Sequence, residues 1–362
     1  MPKVIVGMSG GVDSSVTAYL LKEAGFEVEG LSFVLWEARQ RSDFTACCSL
    51  ESVNSAAKTA ESIGVKHTSV DVRGEFIEKV IEPFVDAYTR GLTPNPCILC
   101  NKYIKFPFLV READSRGAEY IATGHYAGVE EDLTEKIKGR RTGERRVFLK
   151  KGIDAGKDQS YVLYSLREEE IKRLMLPLGN YRKADVREIA RSLQLDAAGK
   201  PESQDICFIE GKNYSGFIEE LTSSAGEPGP IIDGSGKAIG THKGIYRYTT
   251  GQRKGLGLSS PEPYYVTKID ILKNTVHVGA REDVKVRSLL VADLNWLVTI
   301  ESDSFRATVK VRSMMESQPA SIELSGDHAR VVFDEPQWAP APGQSAVFYF
   351  GDRVAGGGII VQ

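Results

Sequence analysis

Apolar residues in the first third of the chain alternate between short continuous runs and helical spacing. Four runs are short and rich in branched side chains, as in buried parallel strands: 3–7, 27–33, 66–72 and 119–123. Between them, apolar residues recur every three or four positions, which predicts helices over 13–24, 52–62, 76–88 and 106–116. This alternation predicts an α/β fold with a doubly wound parallel sheet covered by helices on both faces.

The pattern changes near residue 200. From residue 231 onward, short β-like runs are broken by glycine and proline. The runs at 240–248, 264–270 and 276–279 predict a small β-rich central domain, and five runs between 305 and 361 predict a C-terminal β-barrel. We therefore expect three domains, with boundaries at 1–203, 204–284 and 285–362.

The segment Ser9–Ser15, Ser-Gly-Gly-Val-Asp-Ser-Ser, joins the first predicted strand to the first helix. Backbone N–H groups at such a turn, together with the positive end of the helix, suit an anion. Gly10 and Gly11 lack the Cβ atoms that would keep a phosphate away from the backbone. Asp13 places a carboxylate where a phosphate-bound Mg²⁺ needs one. The loop has no lysine, so it is not the P-loop of kinases, and an ordinary turn with capping serines is the structural alternative.

Five cysteines are too few for a disulfide scaffold and favour catalytic or metal-binding roles in a reducing compartment. Cys97 and Cys100 form a Cys-x-x-Cys pair, and the prolines on both sides of Asn95 predict an extended loop that presents them. With the distant Cys207 they suit either an iron–sulfur cluster with one open iron or a sulfur-carrying redox pair. Structural zinc lacks an obvious second pair of ligands. The adjacent Cys47 and Cys48 are poorly spaced to chelate one metal, so we interpret them as structural or incidental.

The overall charge argues against a protein that binds nucleic acid through a positive charge spread over its whole surface. The net charge is −3, and any RNA contact must use local patches. One such patch is 136–151, which holds eight basic residues and one acidic residue and predicts either a solvated hairpin or a phosphate contact. The sequence has neither an apolar run of about 20 residues nor a signal-peptide pattern, so we expect a cytoplasmic protein that does not bind membranes.

Six motifs resemble those of a known family and occur in its order: Gly7–Ser14, 95–102, 122–126, 157–161, 203–208 and 250–257. The first alone resembles the pyrophosphate loop of ATP pyrophosphatases, which are adenine nucleotide α hydrolase-like enzymes. Together the motifs resemble the tRNA-specific 2-thiouridylase family over nearly the whole chain. The resemblance implies ATP-dependent conversion of the wobble uridine of certain tRNAs to 2-thiouridine. It also implies an ATP-pyrophosphatase domain, a small central domain and a tRNA-binding C-terminal barrel.

The resemblance assigns roles to single residues. Cys100 matches the nucleophile and Cys207 the persulfide-bearing cysteine. The residues that match the ATP site are Gly7, Met8, Ser9, Gly10, Gly11, Val12, Asp13, Ser14, Phe33 and Gly124. The residues that match contacts with the tRNA anticodon stem-loop are Asn95, Pro96, Cys97, His125, Lys157, Asp158, Gln159, Arg312, Ser313 and Gln344.

The implied reaction begins with adenylation of the uridine C2 oxygen by ATP and Mg²⁺. Sulfur then comes from a Cys207 persulfide, charged by a cysteine desulfurase or a sulfur carrier, and a Cys100–Cys207 disulfide remains. Cys97 stands where many members carry aspartate. Members with three cysteines are thought to hold a [4Fe–4S] cluster, so Cys97, Cys100 and Cys207 leave both sulfur routes open. Arg312-Ser313 also lacks an aromatic residue that some members have.

Other functions compete with this interpretation. An ATP pyrophosphatase that amidates a small molecule would need an ammonia source, and the chain has no glutaminase-like segment. A sulfurtransferase acting on another RNA base and a zinc-stabilised RNA-binding module are further alternatives. Exchange between ATP and pyrophosphate that depends on tRNA separates all of these.

Overall fold

The computed structural model describes residues 1–36, 50–132, 136–137, 140–141, 146–195, 206–209, 213–222 and 226–361. Cys47, Cys48, the motif residues 203–205 and part of the basic segment 136–151 lie outside the described residues. Contacts divide the chain into two units. The first contains Met1–Val80, Cys97–Glu210 and Asp352–Val354, and the second contains Ile81–Pro96, Gly211–Gly351 and Ala355–Gln362.

The strands are β1 (Lys3–Gly7), β2 (Glu27–Val34), β3 (Lys66–Asp71), β4 (Tyr120–Thr123), β5 (Ala127–Asp132), β6 (Lys136–Ile137), β7 (Arg140–Arg141), β8 (Arg146–Lys151), β9 (Leu174–Met175), β10 (Gly229–Ile232), β11 (Ala238–His242), β12 (Tyr265–Asp270), β13 (Thr275–Gly279), β14 (Lys285–Trp296), β15 (Ser304–Lys310), β16 (Gln318–Ser325), β17 (His328–Trp338), β18 (Ser345–Phe350) and β19 (Arg353–Ile360). The α-helices are α1 (Val12–Glu23), α2 (Leu50–Ser62), α3 (Arg73–Phe76), α4 (Glu82–Thr89), α5 (Pro96–Cys100), α6 (Phe106–Ser115), α7 (Glu168–Ile171), α8 (Lys183–Ser192) and α9 (Tyr214–Leu221).

The first unit is built on a parallel sheet, as predicted. Its strand order is β3-β2-β1-β4-β9, and every pairing is parallel. Val4, Ile5 and Val6 of the central strand are completely buried, which explains why its pattern is a continuous apolar run rather than an alternation. The register pairs Gly7 with both Leu31 and Thr123, so the carboxyl ends of β1, β2 and β4 reach one edge together.

Two helical segments contain π-helices. Ile77–Ile81 forms one between α3 and α4, where the pattern predicted a single helix over 76–88. The other, Asn101–Lys105, joins α5 to α6 without a break. A π-helix has more residues per turn than an α-helix and therefore changes the direction of the side chains that follow it. Such segments are frequently found at functional sites.

The second unit contains a four-stranded sheet in the order β11-β10-β13-β12. It also contains a barrel of six strands, β14-β17-β16-β15-β18-β19, closed by pairing of β14 with β19. Buried apolar side chains fill the barrel, among them Val309, Val331, Phe333 and Phe348. Closure leaves the barrel without a free edge. The predicted β-barrel is confirmed, whereas the three domain boundaries stay a prediction.

Part of the basic segment is described. β6 and β7 pair antiparallel, with Lys136 opposite Arg141, and β8 pairs along β5 in the first unit. Within the described ranges, every helix is too short or too polar to span a bilayer.

Candidate active site

The turn after β1 closes on itself through serine hydroxyls. The Ser14 hydroxyl accepts a hydrogen bond from the Ser9 amide (3.1 Å) and donates to the Gly11 carbonyl (3.2 Å). The Ser15 hydroxyl donates to the same carbonyl at 2.9 Å. Gly11 is the N-cap of α1 and offers no side-chain acceptor. The first amides of the helix therefore suit an incoming anion.

Two glycines allow close approaches around this turn. Gly10 has φ +74°, and a Cβ there would lie 2.5 Å from the Ser52 carbonyl oxygen of α2. A Cβ on Gly124 would lie 2.8 Å from the backbone of Asp13 and Ser14. Gly124 directly follows β4, so the structure places it against the first turn of α1, beside the loop.

Asp13 projects from this first turn and is held by two residues. The Tyr126 hydroxyl donates to its Oδ1 at 2.8 Å, and the Lys183 ammonium lies 2.7 Å from both carboxylate oxygens. Lys183 is the first residue of α8, and its side chain is only 11 % exposed. Sequence reasoning missed Lys183, because one lysine among 46 basic residues, distant in the sequence from the loop, carries no local signal.

The loop backbone is also anchored at Met8. Its carbonyl accepts a hydrogen bond from the Ser32 hydroxyl at 2.7 Å. Since that hydroxyl has one hydrogen, it must accept from His67 Nε2, which lies 2.8 Å away. Burial lowers the pKa of His67, which favours the neutral imidazole over the charged one. Phe33, two residues beyond the partner of Gly7, is buried with its ring edge-on to Phe108.

The expectation that Cys97 and Cys100 lie on an extended loop is wrong, because Pro96–Cys100 forms α5. Proline suits the first position of a helix: its φ is already helical, and the amide it lacks would have no partner there. One face of α5 is buried. Cys100 is 5 % exposed whereas Cys97 is exposed. Burial raises the pKa of the Cys100 thiol to about 11, against the opposing effects of the Lys105 charge and of its amide, which donates to the thiol.

The π-helix after α5 is tied to the segment that contains the predicted tRNA contacts at 157–159. The side-chain amide of Asn101 donates from Nδ2 to the Val162 carbonyl at 2.9 Å, and this side chain is 1 % exposed. Gln159 exchanges two hydrogen bonds with the backbone of Tyr126, at 2.8 and 2.9 Å. Because the Tyr126 hydroxyl binds Asp13, Tyr126 connects this segment with the carboxylate at the loop.

The other two residues of that segment also have partners in the protein. Asp158 accepts from the amides of Gly152 and Ser160 and from the Ser160 hydroxyl, and the Lys157 amide donates to the Asp154 carbonyl. These bonds order the segment before any RNA is bound.

His125 directly follows Gly124 and packs against the first residue of α6. Its Nδ1 is 2.8 Å from the Thr123 hydroxyl, and its ring stacks on Phe106 at 6.0 Å. Burial, reinforced by the charge of Lys105, lowers the pKa of His125 to about 3. The imidazole is therefore neutral near pH 7, so a contact with tRNA would be a hydrogen bond rather than an ion pair.

Cys207 is half-buried beside Phe208, whose ring packs edge-on against Phe76 at 5.7 Å. In the part of the chain that the structure describes, no three histidine, cysteine or acidic side chains are grouped closely enough to hold a metal ion. The structure therefore does not support the iron–sulfur cluster predicted at Cys97, Cys100 and Cys207.

Gln344 and Arg312 belong to the second unit and bond to backbone there. Gln344 donates to the carbonyl of Thr93 at 2.9 Å, in the segment that leads to Asn95 and Pro96. Arg312 donates to the carbonyls of Thr250 and Ala339, at 3.1 and 2.7 Å. Both side chains thus hold backbone segments in place. Ser313 is half-buried beside Arg312.

Comparison with known proteins identifies the family. Three family models match in order: the tRNA methyl transferase HUP domain at residues 2–211, the tRNA methyl transferase PRC-barrel domain at 215–280 and the aminomethyltransferase beta-barrel domain at 286–360. The tRNA-specific 2-thiouridylase MnmA 1 of Caldanaerobacter subterraneus subsp. tengcongensis is 47 % identical over 99 % of this chain and 97 % of its own length. The tRNA-specific 2-thiouridylases MnmA of Carboxydothermus hydrogenoformans and Geobacter metallireducens are 44 % and 42 % identical, over 99 % of this chain and 97 % and 96 % of their own lengths. The chain belongs to this MnmA family.

Proposed function

We propose that this chain is a tRNA-uridine 2-sulfurtransferase that uses ATP to replace the C2 oxygen of the wobble uridine by sulfur. The observation that carries the proposal is the anion site at the carboxyl edge of the parallel sheet. Its closed serine turn, the close approach of Gly124 and the Lys183–Asp13 pair all lie at the start of α1. Relatives that match along the full length are named tRNA-specific 2-thiouridylases, which supports tRNA as the substrate.

The anion site supports activation of the base by adenylation. The uridine C2 oxygen attacks the α-phosphorus of ATP, and pyrophosphate leaves. The amides at the start of α1 and the Lys183 ammonium stabilise the charge that develops on the departing pyrophosphate. For this, Lys183 exchanges the Asp13 carboxylate for phosphate oxygens, and Asp13 becomes available to hold Mg²⁺. When bound, Mg²⁺ neutralises further phosphate charge.

The sulfur step needs two cysteines. A terminal persulfide sulfur on Cys207 attacks C2, and AMP leaves with the former C2 oxygen. The Cys100 thiolate then attacks the Sγ atom of Cys207, which releases the sulfur on the base and leaves a Cys100–Cys207 disulfide. A partner must reduce this disulfide, and a sulfur donor such as a cysteine desulfurase must recharge Cys207. Because Cys100 is buried and protonated here, α5 has to open before this step.

Mass spectrometry of tRNA nucleosides tests the proposal. Unmodified tRNA is incubated with the protein, ATP, Mg²⁺ and a persulfide donor, and in parallel with S-adenosylmethionine, because two family models are described as methyl transferases. We expect 2-thiouridine only when ATP and the persulfide donor are present. A methylated nucleoside, or no modified nucleoside, contradicts the proposal.

The two half-reactions can be separated with matched variants. Cys100→Ser and Cys207→Ser should abolish 2-thiouridine but keep tRNA-dependent exchange between ATP and pyrophosphate, because the thiols act after adenylation. Gly124→Val should abolish both, because its side chain would collide with the first turn of α1. Exchange that is also lost in the cysteine variants would contradict this order of steps.

A further inference from the structure

The motif 250–257 has no role in the nucleotide site or the cysteine chemistry. It lies in a stretch of the second unit that contains basic residues but no acidic residue. Between Asp233 and Glu262 the chain has five basic residues and no acidic residue. Two of these, Arg253 and Lys254, are adjacent and exposed on the loop. Arg247 in the same stretch is paired with Glu219, whereas Arg253 and Lys254 form no ion pair with a described residue.

The loop is held in a defined shape by its own residues. Gly251, Gly255 and Gly257 all have positive φ, at 85°, 78° and 67°. The Gln252 side chain spans the loop, accepting from the Thr249 amide and donating to the Lys254 carbonyl, each at 3.0 Å. The backbone at 251 and 252 also exchanges hydrogen bonds of 2.8 and 3.0 Å with Val266 of β12. Arg253 and Lys254 therefore project from a loop whose backbone is ordered, and this order reduces the entropy lost on binding a ligand.

The same loop is anchored to the barrel end of β17. Arg312 donates to Thr250 and to the residue after Trp338, and a Cβ on Gly251 would lie 2.6 Å from the Cβ of that residue. The Arg281 guanidinium lies 5.4 Å from the ring centroid of Trp338. Arg281 is exposed, so a third cation stands beside the anchored end of the loop.

We infer that the loop 250–257 binds phosphodiester groups of the tRNA backbone through Arg253 and Lys254. This inference deepens the proposed function and rests on it for the identity of the RNA. A protein with net charge −3 binds a polyanion only where positive charge is concentrated locally, and this stretch concentrates it on a rigid loop. Arg253 and Lys254 suit phosphate oxygens of any sequence, so the loop positions the RNA and the active site selects the base.

The test compares two variants of the full-length protein. Arg253→Gln with Lys254→Gln removes two charges from the loop. Lys268→Gln with Lys273→Gln removes two exposed charges from β12 and the turn that follows it, outside the Asp233–Glu262 stretch, and serves as the control. Binding of unmodified tRNA is measured by fluorescence anisotropy over a series of KCl concentrations.

We expect the loop variant to bind tRNA roughly tenfold more weakly near 0.1 M salt, and the slope of log affinity against log salt to flatten by about 1.4 to 2. The control should change neither quantity appreciably. An unchanged slope in the loop variant, or an equal loss in the control, overturns the inference. Binding does not require thiolation. If no 2-thiouridine forms but the loop charges still govern tRNA binding, the proposed function fails and the loop proposal stands.

Discussion

Cys97 and Cys100 offer a direct comparison, because they lie one turn apart on α5 but differ in burial. Cys97 is exposed, and burial raises the pKa of Cys100 to about 11 from an ordinary value of 9.0. Alkylation requires the thiolate. We therefore compare the alkylation rate of Cys100 in the folded chain with its rate in the denatured chain, so that unfolding is the only change.

The expected ratio follows from two opposing effects. Raising the pKa from 9.0 to about 11 lowers the thiolate fraction near pH 8 by about a hundredfold. A thiolate of higher pKa is also the stronger nucleophile, which recovers a factor of roughly ten. Cys100 should therefore be alkylated at least about tenfold more slowly in the folded protein, and limited access to the buried sulfur slows it further.

The assay is timed labelling with iodoacetamide, with and without guanidinium, followed by peptide mass spectrometry that resolves Cys97 from Cys100. We expect the folded rate at Cys100 to rise steadily with pH, since the thiolate is still the minor form. Adding ATP and tRNA should raise the rate near pH 8, because the proposed sulfur step needs that thiolate. Equal rates at Cys100 in the folded and unfolded chain would refute the reasoning.

Three further predictions concern the loop and its surroundings. Lys183→Met should slow tRNA-dependent ATP–pyrophosphate exchange by about a hundredfold, the usual effect of losing one charge-stabilising donor. Gly10→Ala should lower the free energy of unfolding by about 1 to 3 kcal/mol, measured by guanidinium denaturation, because its positive φ and close neighbour oppose a Cβ. His125 has a pKa lowered from 6.5 to about 3, so its contribution to stability is complete above pH 6.5 and is lost as the pH falls toward 3. Relative to His125→Gln, the wild type should lose at most about 1.4 kcal/mol per pH unit in that window.

Each of these predictions has a control and a result that contradicts it. Lys183→Arg keeps the charge and should retain more exchange activity than Lys183→Met, and full activity in both would leave Lys183 as a structural partner of Asp13 only. Gly11 has a φ of −92°, and a Cβ built on it would have one neighbour within 4 Å, the Ser9 Oγ atom at 3.6 Å. Gly11→Ala should therefore change the free energy of unfolding little. Equal stability losses in the two glycine variants would argue against the steric explanation. Parallel pH–stability curves for wild type and His125→Gln would contradict the burial of a neutral imidazole.

Much of the first unit was predictable because its signals are local. The continuous apolar run at Val4–Val6 and the helical spacing that follows it depend on neighbours within a few residues, and β1 and α1 form where they predict. The Ser-Gly-Gly turn is similarly local, since strand, turn and helix start are contiguous. The β-rich runs predicted the closed barrel for the same reason.

The cysteine helix shows where local reasoning fails. The proline before Cys97 is compatible with both an extended loop and the first turn of a helix, and nearby residues do not decide between them. Cys100 is buried in the folded chain, and the next residue, Asn101, is anchored by the Val162 carbonyl, 61 positions away in the sequence. Tertiary packing thus determined the conformation and the acidity of this thiol.

The sequence by itself determined the central strands, the Ser-Gly-Gly turn and the motifs that identify the family, because backbone preference and the spacing of buried residues depend on neighbouring residues. Only the tertiary structure decided that Lys183 and Tyr126 meet at Asp13, and that Arg312 supports the loop bearing Arg253 and Lys254. Those contacts join segments that are far apart in the chain. The residues next to a charged side chain in the sequence do not indicate its partner, because only folding brings the two together.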